Sequence, residues 1–308
     1  VGYSSEKFIP DLKGVLGDLY DLYVYIDGKF LRGEDAKISV FDHGLLYGDG
    51  VFEGIRAYDG AVFKLDEHID RLHDSAKAIG IDKIPLTKQE LKEALLETLR
   101  RNRLQNAHIR VIITRGAGKP GLDPRRSVRP SVIVSAYPFP PLLGEKPVRL
   151  ITASIRRKSY SIDAKIKSLN YLDNVLAKLQ AAAVGVDDAI MLDVDGSVGE
   201  GTGENLFVIK NEKIFTPSTL AALHGITRAT VMQLAQKLGY EVCEKTVTIQ
   251  ELWTADEVLL SGTGAEITPV AEIDGRKIGK EAPGPITQKI RDAYKAYVKK
   301  EHRTPIYK

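Results

Sequence analysis

The sequence predicts an α+β fold in two domains, on three observations. Short β-rich runs face each other across Asp-Gly turns, as hairpins do, rather than across long parallel crossovers. Amphipathic helical stretches with recognisable caps lie between those runs. A proline-rich segment without a period, YPFPPLLGEKP from Tyr137 to Pro147, separates a smaller N-terminal domain, 1–136, from a larger C-terminal one, 148–308. The 308 residues are 43% hydrophobic and 28% charged, which suits a globular protein with a substantial core. A net charge of +3 argues against nucleic acid or an acidic membrane as partner. No apolar run is long enough for a bilayer, no basic-then-apolar leader is visible, and the single Cys243 has no internal partner. A cytoplasmic location is the expectation.

Residues 1 to about 20 show no period and read as an arm on the body or on a partner. YVYIDGKFL is a hairpin around Asp27-Gly28, and VFEGIRAY with AVFKL is a second around Asp59-Gly60. Between them FDHGLLYGDG, which carries Tyr47, is a glycine-rich loop that either approaches a ligand or simply connects. Asp66 to Ile79 reads as a helix with a stripe of Leu65, Ile69, Leu72, Ala76 and Ile79, ended by Gly80. Arg71 lies beside the stripe, so it points inward at an anion or snorkels to water. Thr87 and Glu90 form a capping box that opens a helix to about Arg101. HIRVIITRG and SVIVSAYPF are strands, and the irregular GAGKPGLDPRR between them is a pocket cover or an exposed turn. In the second half VRLITAS is a strand, and a helix runs from about Leu172 to near Gly185. AIMLDV and SVGEGTGENLFVIK make strand, turn, strand around Asp195-Gly196. Ile226 to Leu238 is a helix opened by His224-Gly225-Ile226-Thr227 and ended by Gly239. DEVLLS is a strand leading into Gly262, Thr263 and Gly264, AEIDGRKIG is a hairpin, and a last helix starts near Pro285 with Ile286, Ile290, Ala293 and Tyr297 inward.

The residues that carry chemistry centre on AKIKSLNYLDNVL, Ala164 to Leu176. Lys167 ends a short apolar run at what reads as a strand-to-helix junction. A lysine held there, partly desolvated, can lose a proton and attack a carbonyl carbon; the alternative is an ordinary surface lysine. Asn170 and Tyr171 follow three and four residues on. Two carboxylates, Glu200 and Glu204, sit in GEGTGEN. The helix opening at Gly225 offers free N–H groups and a positive dipole end, suited to an anion.

Taken together, KSLNYLDN, YGDGVFEGIRAYDG, HIDRLHDSA, VGEGTGENLFVIKNEKIFTP and SGTGAEITPV resemble the fold-type IV pyridoxal-phosphate enzymes. Within these the chain is most similar to the branched-chain amino acid aminotransferases of archaeal type, from about Tyr25 to about Ala293. The resemblance implies a small α/β domain and a larger domain with a β-barrel-like core and flanking helices. It implies pyridoxal 5'-phosphate as cofactor, no metal, and a homodimer or an assembly of dimers. Lys167, rather than Lys165, would form the Schiff base and shuttle the proton, and Tyr171 would bond the cofactor's phenolic oxygen. Glu200 would pair with the pyridinium nitrogen, with Glu204 as the competing carboxylate. Arg71, Gly225, Ile226, Thr227 and Thr263 would bind phosphate, Leu223 would pack on the ring, and Gly203 and Gly262 would lie beside the cofactor. Tyr47, Phe52 and Gly54 would form the side-chain pocket, with Tyr47 serving the neighbouring subunit's site. Gly264 and Ala265 would offer N–H groups to the α-carboxylate. Arg56 and Arg110 would serve a carboxylate or make structural ion pairs.

The implied reaction moves the amino group of L-leucine, L-isoleucine or L-valine to 2-oxoglutarate in ping-pong fashion. The alternatives on the same fold are a D-amino acid or (R)-amine transaminase, or an aminodeoxychorismate lyase; GLDPRR and SGTGAEITPV favour the branched-chain group. A binding protein without activity would have replaced the lysine. The chain departs from the family at His108, where tyrosine is usual, and at Phe139 and Pro140, where some relatives carry tryptophan and further aromatics. Those positions border the expected pocket and leave other apolar amino acids or primary amines open as substrates.

Overall fold

The computed structural model describes residues 17–138, 140–157, 164–220 and 222–307; Phe139 and most of the N-terminal arm lie outside them. The strands are β1 (Tyr23–Ile26), β2 (Lys29–Arg32), β3 (Gly50–Tyr58), β4 (Ala61–Phe63), β5 (Ala107–Thr114), β6 (Ser131–Tyr137), β7 (Val148–Thr152) and β8 (Asp188–Leu192). Then follow β9 (Val198–Gly201), β10 (Asn205–Lys210), β11 (Lys213–Pro217), β12 (Val242–Lys245), β13 (Glu257–Gly262), β14 (Glu266–Ile273), β15 (Arg276–Lys277) and β16 (Arg303–Pro305). The helices are α1 (His43–Tyr47), α2 (Leu65–Ala78), α3 (Lys88–Arg101), α4 (Leu172–Ala183), α5 (Ile226–Lys237), α6 (Ile249–Trp253) and α7 (Pro285–Tyr297).

The strands form a sheet of seven, in the order β16-β4-β3-β5-β6-β1-β2, and one of nine, in the order β12-β11-β10-β13-β14-β7-β8-β9 with β15 on β14. Strands β1 to β6 all lie in the first sheet and β7 to β15 in the second, with 138–147 between; β16 returns from the C-terminus to pair with β4. The Asp-Gly hairpins form because both turn residues take positive φ: Asp27 and Gly28 at 48° and 94°, Asp59 and Gly60 at 45° and 79°. That geometry continues the right-handed twist of the paired strands.

The first sheet packs α2 and α3 on one face, and its core joins Val51, Ile55 and Ile109 to Leu65, Ile69, Leu72, Leu91 and Leu95. Each such fully buried side chain contributes ~1.5–3 kcal/mol. The second sheet is buried on both faces. Phe207 and Ile209 of β10 meet α5 and α7, together with Tyr58 and Phe63 of the first sheet, so this cluster joins the two sheets. The alternate residues Leu206 and Val208 pack with Val198, Val258, Leu260 and Val270 on the other face. A strand places successive side chains on opposite faces, so two-sided burial requires an unbroken apolar run, which NLFVIK and EVLL supply. The sheet also curls: the Val198 N–H donates to Val247 C=O beyond β12 (2.8 Å), and the Gly201 N–H to Glu204 C=O (2.7 Å).

Four features depart from the sequence reading. The loop FDHGLLYGDG contains α1, opened by Asp42, whose carboxylate accepts from the Gly44 N–H (2.7 Å). The run from Val198 to Lys210 is two strands, because the chain turns a corner at 202–204. A turn, not a strand, leads into Lys167 at 164–166. Helix α6 is an addition to that reading, although Thr248 and Glu251 spell its capping box.

Candidate active site

A cavity of about 420 Å³ opens where the two sheets meet. Lys167 is fixed in its wall by backbone rather than by packing. The Phe52 N–H donates to Lys167 C=O (3.0 Å), the Leu169 N–H to Gly50 C=O (2.9 Å), and the Lys167 N–H to Ser75 Oγ on α2 (3.3 Å). The 167–169 segment thus lies along β3 as an extra partial strand. Its side chain points across Phe52, with Nζ 4.6 Å from the ring centroid, and donates to Tyr171 Oη at 3.1 Å. Phe52 and Tyr171 meet edge to face at 5.1 Å. Lys165 is exposed and does not line the cavity. Asn170 donates from Nδ2 to Gly48 C=O (3.0 Å), tying this turn to the end of α1.

The two carboxylates of GEGTGEN are both buried, and their surroundings distinguish them. Glu200 accepts from the Leu223 N–H (2.9 Å) and from Asn205 Nδ2 (3.2 Å) and pairs with Arg157 at 2.7 Å. Burial pushes its carboxyl up, and Arg157 with the Leu223 N–H counters only part of that rise. Glu204 accepts from the Gly203 N–H (2.9 Å) and lies beside Asp188; burial and that neighbouring acid push it up to about 8. It is therefore not a solvated strand-end charge. Sequence reasoning missed Arg157, Asn205 and Asp188. Asn205 immediately follows Glu204, but nothing in the pattern marked its Nδ2 as the link from Glu200 to Leu223 C=O (2.9 Å).

Arg71 points inward. Its Nε and Nη2 donate to the two oxygens of Glu53 (2.7 and 2.8 Å), and its Nη1 to His224 C=O (2.9 Å). Glu53 is fully buried and also lies 2.8 Å from His68 Nδ1. Burial alone would raise this carboxyl, but Arg71 and His68 outweigh it and hold Glu53 down at about 2. The signals for this group were an acid inside the apolar strand VFEGI and a histidine one turn from Leu72. Beyond His224, Gly225 caps α5 without a side-chain bond, so the first N–H groups of the helix are left for a ligand. A β-carbon at Gly225 would stand 2.0 Å from Asn205 Oδ1. Leu223, Ile226, Thr227, Gly203, Gly262 and Thr263 line this end of the cavity.

The opposite end is lined by Phe52, Gly54, His108, Arg110, Leu142 and Gly264. The Arg110 guanidinium lies 4.4 Å from the Phe52 ring centroid. A β-carbon at Gly54 would stand 3.3 Å from His108 Cε1, and one at Gly264 2.3 Å from Leu142 Cδ1, so both glycines make room for wall residues. Leu142 belongs to the proline-rich segment, which the sequence presented only as a link. Burial and the charge of Arg110 push the His108 imidazole down to about 4, leaving it neutral at pH 7. Three expected residues stand outside the wall. Arg56 faces Glu266 (3.7 Å) and Pro140 C=O (3.4 Å), Tyr47 accepts from the Gly121 N–H (2.7 Å), and Ala265 is buried behind Gly264.

This chain has clear relatives. The family model for amino-transferase class IV matches residues 50–273. A protein of Methanocaldococcus jannaschii, provisionally named a branched-chain-amino-acid aminotransferase, is 55% identical over 274 residues, covering 88% of this chain and 95% of its own. The solved T.th. branched-chain amino acid aminotransferase complexed with N-(5'-phosphopyridoxyl)-L-glutamate superposes with a TM-score of 0.89 at 39% identity, covering 93% of this chain and 99% of that one. The branched-chain aminotransferase of Thermoproteus uzoniensis with norvaline gives 0.88 at 40% identity, with coverages of 93% and 99%. With its lysine, its two buried acids and its open helix terminus around one cavity, the chain belongs to the class IV aminotransferases, pyridoxal-phosphate enzymes of fold type IV.

Proposed function

We propose that this chain transfers the amino group of L-leucine, L-isoleucine and L-valine to 2-oxoglutarate by a ping-pong exchange at Lys167. The observation that carries the reading is the 3.1 Å contact of Lys167 Nζ with Tyr171 Oη, in a cavity that also presents Glu200 and the uncapped start of α5. These residues fit pyridoxal phosphate. A buried carboxylate whose pKa is raised by burial suits a cationic ring nitrogen, and free helix N–H groups with Arg71 suit a phosphate dianion. Bound there, the cofactor supplies an aldehyde that an amine can capture and a ring that withdraws electrons from the substrate's α-carbon. The chain's own part is to orient and to move protons. Lys167 Nζ would take the α-proton and return it to the carbon beyond the amino nitrogen, Tyr171 Oη would hold that amine in place, and Glu200 would keep a positive charge at the far end of the ring.

Phe52, Ile112, Leu142 and Leu169 give the substrate end an apolar surface, and Arg110 adds a cation there. That combination supports one site for a branched aliphatic side chain and, in the second half-reaction, for a side-chain carboxylate. A relative solved with norvaline and another complexed with N-(5'-phosphopyridoxyl)-L-glutamate support a site that takes an aliphatic and an acidic side chain. Leu172, Val175, Leu176 and Leu179 on α4, with Val40, Phe41 and Leu45, expose apolar surface that supports a homodimer, with Tyr47 close to the partner's site.

The test is a half-reaction without oxo acid. The protein loaded with pyridoxal phosphate should lose its visible band on L-leucine faster than on D-alanine or an (R)-amine. Lys167→Ala should lower the rate by ~10²–10⁴-fold. A faster response to D-alanine or the amine overturns the substrate assignment, and a Lys167→Ala protein of unchanged rate overturns the lysine.

A further inference from the structure

Two carboxyl groups lie side by side at the cavity floor, Glu204 in the lining and Asp188 behind it. Asp188 opens β8 and is fully buried, and Glu204, at the corner between β9 and β10, is 6% exposed. Asp188 Oδ2 is buried and receives no hydrogen bond from an N–H or O–H among the described residues, and Glu204 is the acid beside it. Asp188 Oδ1 also accepts from Thr202 Oγ1 (2.6 Å) and the Ala189 N–H (2.8 Å) and faces Lys178 Nζ of α4 at 3.3 Å. Glu204 Oε2 accepts from the Gly203 N–H (2.9 Å). Thr202, Gly203 and Glu204 line the cavity, so the two acids hold this part of its floor, while Asn174 Nδ2 donates to Thr202 C=O (2.7 Å). The Glu204 side chain has little room to turn away. A β-carbon at Gly201 would stand 3.1 Å from its Oε2, and one at Gly262 3.5 Å from its Cγ.

An ionised carboxylate only accepts hydrogen bonds, so Glu204 can satisfy the orphaned Asp188 Oδ2 only by carrying a proton. Lys178, with 46% of its side chain exposed, offers compensation for one negative charge, not two. We propose that Asp188 is a positioning residue that shares one proton with Glu204, and that this proton clamps the Thr202–Gly203 corner under the cavity. Burial and the Asp188 charge hold Glu204 up at about 8, while Lys178 and the Gly203 N–H oppose them. The folded pKa lies above the unfolded one. The stabilisation is therefore complete below the ordinary carboxyl range and is lost progressively as pH rises from there to about 8, where the folded chain too gives up the proton and two negative charges meet in a dry site.

Wild type, Glu204→Gln and Asp188→Asn decide this, first without cofactor. At neutral pH the wild type should show the infrared band of a protonated buried carboxyl, which disappears in alkali; Glu204→Gln should lack it. The wild-type Tm should fall, relative to Glu204→Gln, as pH rises from the ordinary carboxyl range to about 8 and level off above it, because the variant's amide still donates to Asp188 but has no proton to release. Should Glu204→Gln not fold, Asp188→Asn carries the same comparison, since it removes one of the two charges. A missing wild-type band, a band that survives Glu204→Gln, or a change in Tm equal in both proteins between the ordinary carboxyl range and about pH 8 overturns the shared proton.

The clamp is read by equilibrium titration with pyridoxal phosphate, an arm that rests on the cofactor assignment. Wild-type affinity relative to Glu204→Gln should fall about tenfold per pH unit above the proton's release, because only the protonated fraction is competent. A ratio that stays constant with pH overturns the clamp. Absence of cofactor binding in every protein overturns the cofactor assignment, while the infrared and Tm results still decide the shared proton.

Discussion

Glu53→Gln removes one charge from the interior while keeping the shape of the side chain. The carboxylate is fully buried, with Arg71 at 2.7 and 2.8 Å and His68 at 2.8 Å. It titrates at about 2 against an ordinary value of 4.5. At about 1.4 kcal/mol per pH unit, that difference favours the ionised form by about 3 kcal/mol. An independent route gives a similar figure: removing one member of a buried ion pair costs about 3–5 kcal/mol, because the other charge is left uncompensated. The amide oxygen still accepts one bond from Arg71, which places the expected loss near the lower end. The sign with pH follows from the depressed folded value. The contribution is present above the unfolded pKa and is lost as pH falls through it towards about 2. Urea midpoints for wild type and variant should therefore differ by about 3 kcal/mol at neutral pH and by less than half of that near pH 3. A loss below about 1 kcal/mol at neutral pH, or an equal loss at both pH values, would refute the reasoning.

Gly225→Ala should weaken pyridoxal phosphate binding by about tenfold or more, since its β-carbon would force Asn205 away from Glu200 and Leu223 at a cost of ~1–3 kcal/mol; a titration giving an unchanged Kd counts against the phosphate end assigned here. His108→Tyr should flatten the acid limb of stability. The lowered imidazole makes the unfolded chain take up a proton that the folded one refuses, a loss of about 3 kcal/mol between the ordinary histidine range and about 4 that the variant should lack in thermal melts over that range. Leu176→Glu with Leu179→Glu should give a monomer by sedimentation equilibrium; an unchanged mass would remove this face of α4 from the interface.

The hairpins were legible because Asp-Gly allows the positive φ that a tight antiparallel turn requires, and so were the helices whose caps are spelled by Thr87 with Glu90 and by Gly225 before Ile226. Lys167, Tyr171, Glu200 and Arg71 were legible only as a family resemblance. Nothing local marks a lysine that follows a turn as the one pinned along β3. The corner at 202–204 was hidden because glycine alternates with polar residues without a break from Gly199 to Asn205, so nothing local separates the two strands. Leu142 was read as part of a link because its place in the wall depends on the Leu142 N–H reaching Gly264 C=O, over a hundred residues away.

The sequence by itself determined the class of the fold, its turns and the inventory of chemical groups, because those depend on backbone preference and residue type within a few positions. Tertiary structure alone decided which charges neutralise which. Glu53 comes from a strand and Arg71 from a later helix, Arg157 and Glu200 from separate segments of the second half, and Asp188 from strand β8 while Glu204 comes from the corner between β9 and β10. The charge state of a carboxyl depends on desolvation and on neighbours within a few ångströms. The same residue type is consequently held at about 2 in Glu53 and at about 8 in Glu204, a difference that only the packed chain creates.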